Sequence, residues 1–149
     1  MDRKGNVLAP MPVKAINISE FELFPESFAI FRKVVRELGL DIRGSCFNYD
    51  CGVDSRLTRT LIWNAGMIPN IPENPRNRDQ SKPKRGRPRC FNAKVYKERF
   101  AIERCFAWED AYRTLVISYE RKVQHQLGAK LLGYALINLR CFVGKSRKC

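Results

Sequence analysis

The sequence is poor in the residues that build metal and disulfide sites. It has one histidine, His125, and none of its six cysteines lies at CxxC spacing from another, so the ligand spacing of a zinc site is missing. It also has no apolar run of 18 residues and no signal peptide, so it predicts neither a membrane span nor export. We therefore expect free thiols in a reducing cytoplasm.

Acidic residues are scarce beside basic ones, since 28 Lys and Arg face 15 Asp and Glu, for a net charge of +13. Such a balance favours a polyanionic partner, and nucleic acid is the commonest one. Hydrophobic residues still make up 44% of the 149 residues, so the chain can fold as one domain. A basic RNA-binding or ribosomal protein is an alternative, although the aromatic clusters of RNA-recognition motifs are missing.

Alternating strand and helix signals predict an α/β fold. Capping and apolar spacing indicate a helix that begins after Ser19 and ends before Gly39. A second helix is predicted over about residues 55–65, with Asp54 as its cap. Short strands are predicted within residues 6–18, over residues 44–49 and over residues 67–69. Strands that alternate with helices in this order form a sheet with parallel members.

Residues 70–90, which we name the basic segment, differ from the rest of the chain by having four prolines and no hydrophobic face. We predict that the cations of this segment bind DNA phosphates. Its core, Arg85-Gly86-Arg87, resembles an AT-hook, which places arginines in a narrow A·T minor groove. A solvated loop without DNA contact is the alternative. The cations are Arg76, Arg78, Lys82, Lys84, Arg85, Arg87 and Arg89.

One carboxylate, Asp50, directly follows the strand predicted over residues 44–49. Ligands of parallel sheets lie beyond the carboxyl ends of the strands, and Gly52 would let the backbone come close to such a ligand. An aspartate that caps a turn would occupy the same place. Asp50 by itself does not decide between these two interpretations.

A long helix is predicted to begin after Asn92, which can cap it, and to run towards Leu115. On such a helix Tyr96, Arg99 and Glu103 fall at i, i+3 and i+7 and share one face. A solvated face held by an Arg99–Glu103 ion pair would show the same spacing, so periodicity alone leaves both interpretations open.

The chain resembles the DDE-type insertion-sequence transposases over nearly its whole length, because several family motifs occur in the right order. The helix motif is Tyr96-x2-Arg99-x3-Glu103 followed by Phe106-Ala107-Trp108, and the strand-end motif is Asp50-x-Gly52 followed by Asp54-Ser55. Further similar stretches are Pro69-Asn70-Ile71, Asn74-Pro75-Arg76-Asn77-Arg78, Tyr119-Glu120-Arg121 and Ala135-Leu136-Ile137-Asn138-Leu139-Arg140. The chain departs from the family at Asp110, where lysine is common, and at Val53, where an aromatic residue is expected.

This resemblance implies an RNase H-like fold, in which helices flank a mixed sheet and three acids hold two Mg²⁺ or Mn²⁺ ions. The second acid of the family falls on Asp50 and the third on Glu103, so both are expected to be catalytic and metal-binding. Tyr96 and Arg99 belong to the helix motif that shapes the site and meets the DNA backbone.

The first acid of the family belongs on a strand that precedes this chain, and the early candidate Asp2 is interpreted as a turn residue. Residues 1–149 are therefore expected to form an N-terminally incomplete transposase domain with a two-metal site that lacks one ligand.

The implied function is DNA transposition by metal-dependent strand cleavage and strand transfer, which would need an upstream segment that carries the first acid. A catalytically inactive, DNA-binding transposase fragment is the alternative. The expected partners are double-stranded DNA, at the element ends and the target, and either another copy of the chain or an upstream transposase polypeptide. The expected location is the cytoplasm, in association with the nucleoid.

Overall fold

The computed structural model describes residues 1–9, 18–74, 89–112 and 122–143. The chain divides into two compact units. We name residues Ile16–Lys97 the central unit, and Met1–Ala15 together with Glu98–Cys149 the terminal unit.

The central unit begins with helix α1, Glu20–Glu37, whose two ends were predicted from the sequence. Ser19 Oγ accepts a hydrogen bond from the Glu22 amide at 3.3 Å, which satisfies one of the donors that a helix N-terminus leaves over. The helix ends before Gly39, whose φ of +64° is the left-handed conformation that a glycine adopts with little strain. Both capping predictions are confirmed.

A small parallel sheet follows, formed by strand β1, Cys46–Asn48, and strand β2, Ile68–Asn70. Helix α2, Arg56–Asn64, connects the two strands, and Asn48 stands opposite Asn70 in their register. The α/β prediction is confirmed at this level, as a helix-rich fold with a two-stranded parallel sheet. Of the strand predicted within residues 6–18, residues 10–17 lie outside the described ranges, and the described positions 6–9 and 18 form no strand.

The core of the central unit lies between α1, α2 and the sheet. Its buried members are Phe24, Phe28, Ile62, Met67 and Ile71. The ring of Phe47 on β1 packs edge-on against Phe28, with centroids 5.3 Å apart and an interplanar angle of 90°. Burial of each large apolar side chain contributes roughly 1.5–3 kcal/mol, and edge-to-face aromatic pairs add to this.

The terminal unit holds helix α4, Phe100–Asp110, and helix α5, Val123–Val143. These helices pack around buried Cys105, Tyr134 and Ile137, which Met1, Val7 and Trp108 partly cover. None of the helices in the described ranges is both long enough and apolar enough to cross a membrane.

The prediction of one long helix after Asn92 is wrong, although Asn92 does cap a helix. Its Oδ1 accepts hydrogen bonds from the amides of Lys94 and Val95, at 3.0 and 3.2 Å, and helix α3 spans only Ala93–Lys97. A continuous helix would bond the Arg99 amide to the Val95 carbonyl. The Val95 carbonyl also accepts a hydrogen bond from Asn48 Nδ2 at 3.1 Å, which joins the end of α3 to β1.

Candidate nucleic-acid and metal site

Asp50 lies just beyond the carboxyl end of β1, as predicted. It is exposed, and its Oδ1 accepts a hydrogen bond from the Cys51 amide at 2.5 Å. It thereby caps a short 3₁₀ turn, Cys51–Val53. Asp50 therefore has the strand-end position expected of a ligand-binding acid. It also has the capping role of the alternative interpretation.

A second acid, Glu20 at the start of α1, influences the same end of the sheet. Burial raises the pKa of Tyr49, and the negative charges of Glu20 and Asp50 raise it further. Sequence analysis did not single out Glu20, because its place beside this strand end follows from the packing of α1 on the turn after β1. Both carboxylates therefore lie near enough to Tyr49 to disfavour the ionisation of its hydroxyl.

Glu103 lies in the first turn of α4, in the terminal unit. It is exposed, and its Oε1 stands 3.7 Å from Nη2 of Arg99, the i,i+4 ion pair of the alternative interpretation. Because Asp50 belongs to the central unit and Glu103 to the terminal unit, the expected meeting of their carboxylates stays a prediction.

Tyr96 lies on α3 in the central unit, half-buried, with its ring centroid 5.3 Å from that of Phe91. Arg99 directly precedes α4 and adopts helical dihedral angles, but the chain turns at residues 98–99. The predicted common face of Tyr96, Arg99 and Glu103 is therefore not formed on one continuous helix.

The acids expected to hold metal ions, Asp50 and Glu103, lie in different units. Asp50 and Glu103 offer the hard carboxylate oxygens that Mg²⁺ prefers. Within the described ranges, however, no three acidic, histidine or cysteine side chains come together. Asp2 does not complete the set, because its carboxylate accepts hydrogen bonds from the amides of Lys4 and Asn6, both at 2.8 Å, in the turn predicted for it.

Three asparagines close the base of the basic segment. Asn70, at the end of β2, is 2% exposed, and its Oδ1 accepts a hydrogen bond from the Asn92 amide at 2.7 Å. Its Nδ2 donates to the Asn92 carbonyl at 3.1 Å and to Asn48 Oδ1 at 2.7 Å. Asn70, at the start of the basic segment, and Asn92, two residues after its end, are therefore joined at the carboxyl end of the sheet.

Asp54 forms a second closure of the same segment. Its side chain is 5% exposed and accepts hydrogen bonds from Arg59 Nε at 2.7 Å and from the Asn74 amide at 3.2 Å. Arg89 Nη1 donates to both carboxylate oxygens of Asp54, at 3.0 and 2.7 Å. We name this group, in which Asp54 holds Arg59, Asn74 and Arg89, the Asp54 clasp.

Asp54 is not the cap of α2 that the sequence predicted. Ser55 caps that helix, since its Oγ accepts a hydrogen bond from the Thr58 amide at 3.0 Å. Asp54 is directed instead to the buried guanidinium of Arg59, which also donates to the Ile71 carbonyl at 2.8 Å. A buried carboxylate is stable only with such charged partners, and the sequence analysis did not predict these partners.

Of the cations of the basic segment predicted to bind DNA, only Arg89 lies in the described ranges, and it belongs to the Asp54 clasp. Its guanidinium also stands 3.9 Å from Glu73 Oε1, so its charge is partly used inside the fold. The other predicted cations lie outside the described residues, namely Arg76, Arg78, Lys82, Lys84, Arg85 and Arg87.

Comparison with known proteins adds no further assignment, because no family model, no curated protein and no solved structure matches the chain.

Proposed function

We propose that this chain is part of a DDE-type insertion-sequence transposase with an RNase H-like fold, and that it binds double-stranded DNA through its basic segment. The observation that carries the proposal is the place of this segment. Its first residue, Asn70, ends β2, and because β1 and β2 are parallel, Asn70 lies at the same end of the sheet as Asp50. The start of the phosphate-binding segment and a carboxylate able to bind a metal ion would thus lie at the same end of the sheet.

The proposed site residues have different roles, which follow from their side-chain chemistry. The cations of residues 76–87 would bind phosphates, which sets register and affinity on the duplex without reading its sequence. Asp50 and Glu103 would supply carboxylate oxygens to Mg²⁺ or Mn²⁺, which, when bound, helps an oxygen nucleophile to attack phosphorus. Tyr96 and Arg99 would contact the DNA backbone near these acids.

This chain alone is proposed to be inactive in cleavage. The family needs three acids, and Asp2, the early candidate, is engaged in a turn. An upstream transposase polypeptide with the first acid would complete the site. The alternative, a DNA-binding fragment without catalysis, is favoured by the local roles of Asp50 as a cap and of Glu103 as the partner of Arg99.

Purified chain tested on plasmid and duplex DNA with Mg²⁺ or Mn²⁺ examines both parts of the proposal. We expect weak duplex binding, on the order of micromolar, and no nicking or joining. Cleavage by the chain alone that is lost in Asp50→Ala would contradict the proposed need for an upstream acid. The matched control is Asp41→Ala, because Asp41 is also an exposed aspartate that accepts a nearby amide, that of Arg43 at 3.0 Å.

The reading frame directly upstream in the source DNA separates the two candidate functions. An overlapping frame that encodes the first acid supports the split transposase, and its product, added in trans or by fusion, should restore cleavage. A frame without such a segment supports the inactive DNA-binding fragment. Failure of the unsubstituted chain to bind duplex DNA would overturn both.

A further inference from the structure

We infer that Asp54 is a positioning residue for nucleic-acid binding, in that its buried carboxylate holds together the two ends of the cation-rich residues 75–88. The inference rests on the proposed function. It concerns a residue that touches no phosphate itself and acts through the segment whose ends it fixes.

The geometry of the Asp54 clasp supports this role. Asn74, the residue before position 75, donates its amide to Asp54 Oδ2, and Arg89, the residue after position 88, donates to Oδ1 and Oδ2. One carboxylate therefore binds both flanks of a 14-residue stretch. That stretch contains six cations and one acid, Asp79, in its sequence.

Burial strengthens the Asp54–Arg59 half of the clasp, whereas the Arg89 side chain is 45% exposed and its pair is more screened by water. The Asp54 side chain is 5% exposed and the Arg59 side chain 11% exposed, so their ion pair is little screened by water. Charge-assisted hydrogen bonds of this kind are shorter and stronger than neutral ones, as the distances of 2.7 Å from Arg59 and Arg89 show.

The clasp also ties the cation-rich stretch to the strand end of Asp50. Only the 3₁₀ turn Cys51–Val53 separates Asp50 from Asp54, and the Asp54 amide donates to the Cys51 carbonyl at 3.1 Å. The flanks of the cationic stretch are thus fixed one turn from the proposed metal-binding carboxylate.

Without the clasp, residues 72–74 and 89–90 lose this anchor. The next fixed points are then Ile71, which is buried in the core, and Phe91, whose ring packs against that of Tyr96. Loop closure itself would cost little more, because its entropy grows slowly with length. The larger effect is the backbone freedom of these additional residues, which DNA binding would then have to restrict. We expect about a three- to tenfold loss of duplex affinity.

Arg89→Gln is the variant of choice, because it opens one side of the clasp and leaves the buried Asp54–Arg59 pair in place. The matched control is Arg56→Gln, since Arg56 is exposed and has no ion pair within the described ranges. Asp54→Asn is a second variant, whose fold is checked by its unfolding curve, because it leaves Arg59 without its buried counter-charge.

Duplex affinity measured across a salt series distinguishes positioning from contact. If the clasp positions the segment, the plot of log affinity against log salt for Arg89→Gln lies below that of the unsubstituted chain and parallel to it. If Arg89 were a phosphate contact, the slope would fall by about 0.9 and the difference would shrink at high salt. That outcome, or an affinity equal to that of Arg56→Gln, would overturn the inference.

Limited trypsin digestion without DNA gives a second reading. Arg89→Gln should be cleaved several-fold faster within residues 76–87 than either the unsubstituted chain or Arg56→Gln. An unchanged rate would overturn the inference while leaving DNA binding intact. A chain that shows the faster cleavage but has no affinity for duplex DNA would overturn the proposed function, and the positioning role with it, although the clasp itself would stand.

Discussion

Asn70 and Asn92 lie 22 positions apart in the sequence and exchange two hydrogen bonds, in which the Asn70 side chain mimics a backbone strand for its partner. The same side chain also donates to Asn48 Oδ1 across the sheet. This pair joins the start of the basic segment to the residue that caps α3, so it contributes to the stability of the central unit beside the proposed DNA contact.

Asn70→Ala should destabilise the chain by about 1–3 kcal/mol, because it removes three hydrogen bonds made by the side chain of a residue that is 2% exposed, namely those to Asn48 Oδ1 and to the Asn92 amide and carbonyl. Asn64→Ala, at an exposed position on α2, should change stability by less than about 0.5 kcal/mol. Urea unfolding of both variants measures the difference. Equal unfolding midpoints would show that the asparagine network does not hold this closure.

Gly66→Ala should cost about 1–2 kcal/mol, because Gly66 closes α2 at a φ of +78°, where a side chain is strained. Its new Cβ would also lie 3.3 Å from Arg43 Cγ. Gly52→Ala is the control, since no atom lies within 4 Å of its Cβ position and its φ is not positive. Thermal unfolding that ranks the two variants equally would argue against the backbone explanation.

The turn role of Asp2 predicts a pH-dependent contribution to stability. Partial burial would raise the pKa of Asp2, but hydrogen bonds from Asn6 and Lys4 outweigh it and bring the pKa below its ordinary value of 3.8. A lowered folded-state pKa stabilises the fold above pH 3.8 and loses this effect as the pH falls further. Asp2→Asn should therefore unfold more easily than the unsubstituted chain at neutral pH, with a difference that vanishes in acid. A difference independent of pH would contradict the assignment.

The terminal unit offers a local test of its own. Asn138 on α5 accepts a hydrogen bond from the Val7 amide at 2.7 Å and donates to the Val7 carbonyl at 3.0 Å. Asn138→Ala should cost about 1–2 kcal/mol and speed hydrogen exchange at the Val7 amide. Gln124→Ala, exposed on the same helix, should leave that exchange unchanged. Equal exchange rates at Val7 in both variants would refute this anchor.

Replacement of Arg85 and Arg87 by alanine tests how the basic segment binds DNA. Phosphate binding predicts similar losses on A·T-rich and G·C-rich duplexes, with a salt slope reduced by about 2 for two lost contacts. A minor-groove hook would instead lose more on A·T-rich DNA, because groove width is what it reads. We expect the uniform loss. A slope unaffected by deletion of residues 76–89 would remove the segment from the DNA interface.

Local signals in the sequence were sufficient for the ends of several helices. The caps at Ser19 and Asn92 and the closing glycines Gly39 and Gly66 follow from short-range hydrogen bonding and from backbone conformations that few residues adopt. The strand–helix–strand order around Asp50 was likewise readable from apolar patterns and turn residues. These features depend on residues within a few positions of one another, so the sequence by itself determined them.

Long-range contacts decided the rest. Asp54 has the sequence context of a helix cap, yet it pairs with Arg59 and Arg89, because a carboxylate that packing has buried must be neutralised by the nearest guanidinium groups. The Asn48 side chain binds the Val95 carbonyl on α3, and the chain with helical periodicity after Asn92 forms two helices, α3 and α4. The bonds of Asp54 to Arg89 and of Asn48 to Val95 join residues 35 and 47 positions apart, so packing and not local sequence decides that they form.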